Sequence, residues 1–158
     1  MATTTTYVDS AEAAKLIRKQ LKIAFPETKF RVRTRRYSGG STIDITWMDG
    51  PTESQVRYYV DRFEGSTFDG MTDSKDPRYL YLIDGTRIHY GCDFVHTHRI
   101  YSRAMVEQAI RACADRFGWD ELPEIWGDDN IGYVAVCNDW KKQDLIWRYL
   151  SGTLTERD

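Results

Sequence analysis

Lys29-Phe30-Arg31-Val32-Arg33-Thr34-Arg35-Arg36-Tyr37-Ser38-Gly39-Gly40-Ser41-Thr42-Ile43-Asp44-Ile45-Thr46-Trp47 is the stretch that decides the fold. Two alternating runs flank a Ser-Gly-Gly-Ser turn. Successive side chains of a strand point to opposite faces. In the first run that puts Lys29, Arg31, Arg33 and Arg35 on one side and Phe30, Val32 and Thr34 on the other. In the second, Ile43, Ile45 and Trp47 share a side. The pair reads as a β-hairpin with an apolar inner face and a cationic outer one. Gly39 and Gly40 supply residues free to take positive φ at its turn.

Upstream, Ala13, Leu16, Ile17, Leu21 and Ala24 recur at three- and four-residue steps. The spacing predicts an amphipathic helix capped at Asp9 or Ser10, with Lys15, Arg18, Lys19 and Lys22 opposite the apolar stripe, ended by Pro26. Residues 1–8 and 151–158 read as mobile tails. Downstream, Asp49-Gly50-Pro51 breaks the strand and Thr52 to Gln55 has capping-box spacing. Val56, Tyr59, Val60 and Phe63 form the stripe of a second helix that closes at Gly65. Residues 66–77 read as a long loop. Asp84-Gly85, between Tyr79–Ile83 and Thr86–Tyr90, predicts a two-residue type I′ hairpin.

Gly91-Cys92-Asp93 turns into a strand from Phe94 to Tyr101, and Ser102 caps a third helix through Phe117. A strand over 132–137 and a helix from Asn138 or Asp139 to Leu150 follow. The order α-β-β-α-β-β-β-α-β-α predicts one α+β domain over 9–150, an antiparallel sheet of hairpins with helices packed on one face. No residue-level repeat is visible.

The chain has 158 residues, 13% aromatic and 29% charged, with a formal net charge of -2. That length supports one domain with a real core, and the aromatic content argues against disorder. No apolar run approaches the ~20 residues of a membrane helix. Three cysteines, Cys92, Cys113 and Cys137, are too few for a disulfide scaffold. The expected setting is cytoplasmic, with no membrane partner. The near-neutral charge hides a gradient: residues 1–40 carry nine basic and three acidic groups, whereas 41–80 and 121–158 each carry four and eight. Such asymmetry reads either as a polyanion-binding face or as an internal match between parts of one fold.

Several segments taken together resemble a known family. They are Ala13-Ala14-Lys15-Leu16-Ile17-Arg18-Lys19, Phe25-Pro26, Tyr37-Ser38-Gly39-Gly40-Ser41, Ile43-Asp44-Ile45 with Trp47, Asp49-Gly50-Pro51-Thr52, Phe63-Glu64-Gly65 and Phe68-Asp69-Gly70-Met71-Thr72-Asp73, with Gly91-Cys92-Asp93-Phe94 in support. This set, over residues 9–100, resembles the large polyvalent protein-associated domains, the twenty-ninth of that series. The resemblance implies a phage or conjugative-element protein, since such domains occur in very large proteins thought to enter the recipient cell with the DNA and protect it. It implies no catalytic motif. The C-terminal third, with Trp119, Trp126, Trp140 and Trp147, lies outside it.

Candidate chemistry centres on two places. His89, His96 and His98 fall within ten residues, and a four-residue loop would bring His89 opposite His96 for a bridging metal or a hydrolytic site. A three-residue loop would separate them, and solvent-facing strand histidines are the better expectation. His96-Thr97-His98 also touches a His-x-Thr phosphodiesterase pattern, which needs a second copy that the chain lacks. Cys113 and Cys137 fall in apolar patterns and Cys92 in a turn, so none recommends itself as a nucleophile. Asp69, Asp73 and Asp76 lack the calcium-loop spacing.

The sharper candidate is the basic strand. Arg31, Arg33, Arg35, Arg36, Tyr37 and Ser38, joined by Lys15, Lys19 and Lys22 of the helix, suggest a continuous positive surface. Phosphates bind such surfaces with strong salt dependence, and Tyr37 can stack on a base. The Ser38–Ser41 turn offers a weaker phosphate cradle. The opposing reading pairs the arginines with Asp44, Glu53 or Glu64. The expected function is a non-catalytic, anti-defence accessory (anti-restriction or anti-CRISPR-like) without cofactor, binding nucleic acid or a host defence protein complex. Its oligomeric state is not legible.

Overall fold

The computed structural model describes residues 4–128, 133–136 and 139–158. The fold is α+β, as the pattern predicts, but the α+β domain expected over 9–150 takes the form of two compact units. Unit 1 comprises residues 1–47 and 54–98; unit 2 comprises 48–53 and 99–158.

Unit 1 is built on the opening hairpin. Strands β2 (Arg31–Tyr37) and β3 (Gly40–Met48) pair antiparallel, with Val32 opposite Ile45 and Arg33 opposite Asp44. Ser38 and Gly39 are the turn, and Gly39 takes φ +92°. Strand β8 (Phe94–Ile100) lies on the other side of β3. The Asp93 N–H donates to the Ser41 carbonyl at one end of β3 and the Asp49 N–H to the Ile100 carbonyl at the other, so β3 and β8 run parallel. The sheet is therefore mixed where an all-antiparallel one is expected. The connection from β3 to β8 is a crossover through a helix, and crossovers return strands in parallel.

Ile43, Ile45, Trp47, Val32 and Val95 face inward from this sheet. Helix α1 (Ser10–Ala24), with Asp9 capping the Glu12 N–H at 2.8 Å, lays Ala13, Ile17 and Leu21 on them. Helix α2 (Glu53–Val60) adds Val56 and Val60. It stops at Val60, and a 3-10 turn (Asp61–Phe63) carries the chain to Glu64. Arg18 reaches from α1 to the Val32 carbonyl at 2.8 Å, covering the free edge of β2 with a cation.

Three expectations are corrected here. The tail over 1–8 contains β1 (Thr5–Val8), which pairs parallel with β7 (Arg87–Tyr90). Backbone pairing holds this polar strand, and no apolar pattern announces it. The long loop over 66–77 is a hairpin of β4 (Ser66–Asp69) and β5 (Ser74–Pro77). Asp69 organises its turn by accepting from the Met71 N–H and the Thr72 hydroxyl, each at 2.9 Å. Those bonds hold its carboxyl below the usual carboxylate range, so this aspartate completes a turn. The Asp84-Gly85 hairpin is not type I′. Strand β6 (Leu80–Tyr81) pairs with β7, Leu82 N–H bonds the Thr86 carbonyl, and Ile83-Asp84-Gly85 is a three-residue loop. Only Gly85 in it is left-handed, at φ +84°.

Unit 2 packs helix α3 (Arg103–Phe117) with helix α4 (Trp140–Ser151) through Val106, Ala109, Ile110, Cys113, Ile146 and Leu150. Ser102 caps α3 and Asp139 caps α4; Gly118 and Gly152 end them in the left-handed region. A small hairpin pairs β9 (Ile125–Asp128) with β10 (Tyr133–Val136). Cys137, expected to end that strand, lies outside the described residues. The tail expected over 151–158 is tied back: Asp158 pairs with Arg148 at 2.6 Å.

Arg99 holds unit 2 together at one point. Its guanidinium donates to the carbonyls of Asp49, Gly50 and Leu150 at 2.8, 2.9 and 2.6 Å and lies over the Tyr101 ring. The Asp49 carboxylate accepts from the N–H and hydroxyl of Ser102.

Candidate nucleic-acid interface

The outer face of the β2-β3-β8 sheet carries the residues of opposite parity to the core. Arg31, Arg33 and Arg35 project from β2, Thr42, Asp44 and Thr46 from β3, and His96 and His98 are exposed on β8. The described helices α1 and α2 lie on the inner side with the core. Within unit 1 these two helices cover the inner side only, and the outer side chains of β2 are exposed.

Asp44 stands opposite Arg33 but makes its ion contact with Arg35, without a well-aligned hydrogen bond. Glu64 turns inward, accepting from the Val95 N–H at 2.9 Å with Arg78 at 3.7 Å. Glu53 accepts from the Arg99 N–H. Arg31 and Arg33 are exposed and have no hydrogen-bond or ion-pair partner among the described residues. One acid on a face with three arginines leaves it positive.

The surface is not the continuous one expected. Lys15, Lys19 and Lys22 stand on α1, across the core from the outer sheet face. Lys15 is paired with Glu12 at 3.0 Å, and Lys19 borders a shallow groove with Leu16, Ile23, Arg62 and Leu82. Arg36 has the parity of Val32 and Thr34, and its charge helps lower the Asp9 carboxyl at the N-cap of α1, after the hydrogen bond from the Glu12 N–H. Strand parity separates Arg36 from its neighbours, and sequence proximity concealed that.

At the hairpin end the face closes on a buried acid that sequence reasoning missed. Asp93, 9% exposed, accepts from the Tyr37 hydroxyl at 2.6 Å, the Ser66 hydroxyl at 3.0 Å and the Lys75 ammonium at 2.9 Å. Burial pushes its carboxyl up, but the three donors outweigh burial and hold it below the usual carboxylate range. The same hydrogen bond pushes the Tyr37 hydroxyl up to about 12, so it stays a donor. Gly40 is required beside it: a Cβ there would lie 1.9 Å from Asp93 Oδ2 and 2.9 Å from Tyr37 Oη.

Further hydrogen bonds gather the rest. Gly65 N–H donates to the Cys92 carbonyl, Ser66 N–H to the Asp93 carbonyl, and the Ser41 hydroxyl to the Gly91 carbonyl. Ser41 is thus committed to the fold, and of the proposed phosphate cradle only Ser38 and Gly39 remain exposed at the tip.

The histidines are not brought together. His89 lies on β7, in the sheet of β1, β7 and β6, with its Nδ1 3.1 Å from the Arg78 carbonyl and its ring between Tyr7 and Tyr79. His96 and His98 lie on β8, in a different sheet, after a loop of three residues. Among the described residues no group of three or more His, Cys, Asp or Glu could hold a metal ion. Cys92 and Cys113 are buried, and burial pushes the Cys92 thiol up to about 12, far from a reactive thiolate. No described helix is long and apolar enough to cross a membrane.

The segments Tyr37–Ser41, Glu64–Ser66 and Gly91–Asp93, dispersed in the sequence, meet at this one junction. No curated protein and no solved structure matches the chain. A family of phage and mobile-element polyvalent proteins matches it over residues 8–102, a span containing every element of that junction: the chain belongs to large polyvalent protein associated domain family 29.

Proposed function

We propose that this protein is a non-catalytic accessory of a phage or other mobile element that binds nucleic acid through the outer face of its β2-β3-β8 sheet. One observation carries the reading: Arg31 and Arg33 stand exposed on an open face with no partner among the described residues. A polyanion releases counterions when such arginines neutralise its phosphates, which gives affinity without sequence preference. The family context supports an anti-defence role in the host cytoplasm, in which the entering nucleic acid or a defence nucleoprotein is the bound partner.

A gel-shift titration at 50 and 200 mM salt tests it. Binding that weakens steeply with salt, and is lost in Arg31→Glu/Arg33→Glu with the fold intact, supports the proposal. No shift at the lower salt overturns it, and retention of an acidic polypeptide in place of nucleic acid reassigns the face to an acidic protein partner.

A further inference from the structure

We propose that Tyr37 is a fixed platform on which one unpaired nucleobase stacks, so that the arginine face is a single-strand site. This rests on the nucleic-acid reading above and adds the substrate class to it.

Tyr37 shares strand parity with Arg31, Arg33 and Arg35, and 48% of it is exposed to water. An exposed tyrosine at a strand end ordinarily moves between rotamers. Here its hydroxyl is bonded to a buried carboxylate, and that carboxylate is held in turn by Ser66 and Lys75. The hydroxyl passes beside Gly40, whose missing side chain leaves room for it to reach Asp93. The ring is therefore anchored at its polar end while its apolar surface stays wet. A buried acid, two supporting donors and an obligatory glycine are committed to fixing it. Ordering the ring before the partner arrives removes an entropic cost of binding.

Three features choose a base as the occupant. Aromatic surfaces stack on any base, which suits a face that selects by charge and not by sequence. Arg31 and Arg33, on the same strand face and without a partner among the described residues, place free cations alongside for the adjoining phosphates. In a duplex the flat sides of the bases are already stacked, and a ring tethered to a sheet cannot insert between them. Only a strand with splayed bases presents a free flat side.

Fluorescence anisotropy with the whole chain and three probes of equal length distinguishes the possibilities: oligo-dT, the same oligomer with abasic positions, and a duplex. The expected order is oligo-dT tighter than the other two by about tenfold. Tyr37→Ala brings oligo-dT down to the abasic level, and Tyr37→Phe, which keeps the ring and loses its anchor, falls between. If wild-type protein binds the dT and abasic oligomers equally in a salt-dependent manner, stacking is overturned and the arginine reading stands. If no probe binds at low salt, both are overturned. The abasic comparison uses unaltered protein, so its outcome does not depend on any variant folding.

Discussion

Among the described residues each unit contains a charged side chain that gathers three partners from distant segments, and the two are built in opposite ways. In unit 2 the hub is a cation: Arg99 donates to three backbone carbonyls, among them that of Leu150 at the end of α4. In unit 1 the hub is an anion: Asp93 accepts from the side chains of Tyr37, Ser66 and Lys75. A hub that binds backbone sees only the fold. A hub that binds side chains passes its order on to them, and Tyr37 carries that order out to the cationic face. The difference separates a purely structural lock from one that also prepares a surface.

Breaking the cation hub has the largest expected effect. Arg99→Ala strands three carbonyls and is expected to cost about 3 kcal/mol, since bonds to a charged group contribute about 1.5–3 kcal/mol each. Urea unfolding followed by tryptophan fluorescence measures it, because Trp119, Trp126, Trp140 and Trp147 belong to unit 2. Arg99→Lys is expected to recover little, as one ammonium cannot span carbonyls reached by three guanidinium nitrogens.

Gly40→Ala comes next. Its Cβ would collide with Asp93 Oδ2 and force the Tyr37–Asp93 pair apart, at about 2 kcal/mol. Full stability in that variant would mean that Tyr37 is not anchored as described.

Asp93→Asn keeps the shape and removes the charge, for about 1–2 kcal/mol near neutral pH. The sign of its pH dependence is fixed. The folded carboxyl lies below its unfolded value of about 3.9, so its contribution is complete above that pH and is lost as pH falls through the folded value. Acid titration of stability should therefore be shallower in Asp93→Asn than in the wild type, and parallel curves would show that Asp93 is not the acid-sensitive group.

Arg31→Glu/Arg33→Glu should change stability least, within about 0.5 kcal/mol, because neither side chain has a partner to lose. Loss of more than about 1 kcal/mol in urea unfolding would mean that the face is structural.

The contrast also bears on what a sequence discloses. Strands β2 and β3 and helices α1 and α3 were legible because their periodicity and caps are local signals: Asp9 and Ser102 do what their positions in the pattern suggest. The exposed arginines were legible for the same reason, since parity alone puts Arg31, Arg33 and Arg35 on one side.

What escaped is non-local. Thr5–Val8 has no apolar pattern and becomes a strand only because β7 stands beside it. Ser66–Asp69 and Ser74–Pro77 have weak strand composition and are joined by an aspartate-held turn. Asp93 read as a turn residue, because its three donors come from positions 37, 66 and 75. Gly40 read as a turn glycine, but Gly39 alone takes the positive φ, and what matters at Gly40 is its lack of a side chain beside Asp93.

The pairing of Thr5–Val8 with Arg87–Tyr90 also sets a schedule. On a ribosome adding about 5–20 residues per second, β1 waits roughly 4–16 s for a partner some 80 positions behind it. During that interval β3 likewise lacks β8, and the hairpin exposes an apolar face with an unpaired edge. Unit 1 cannot close before its last strand emerges. Its yield during synthesis should therefore depend on translation speed and temperature more than its final stability suggests.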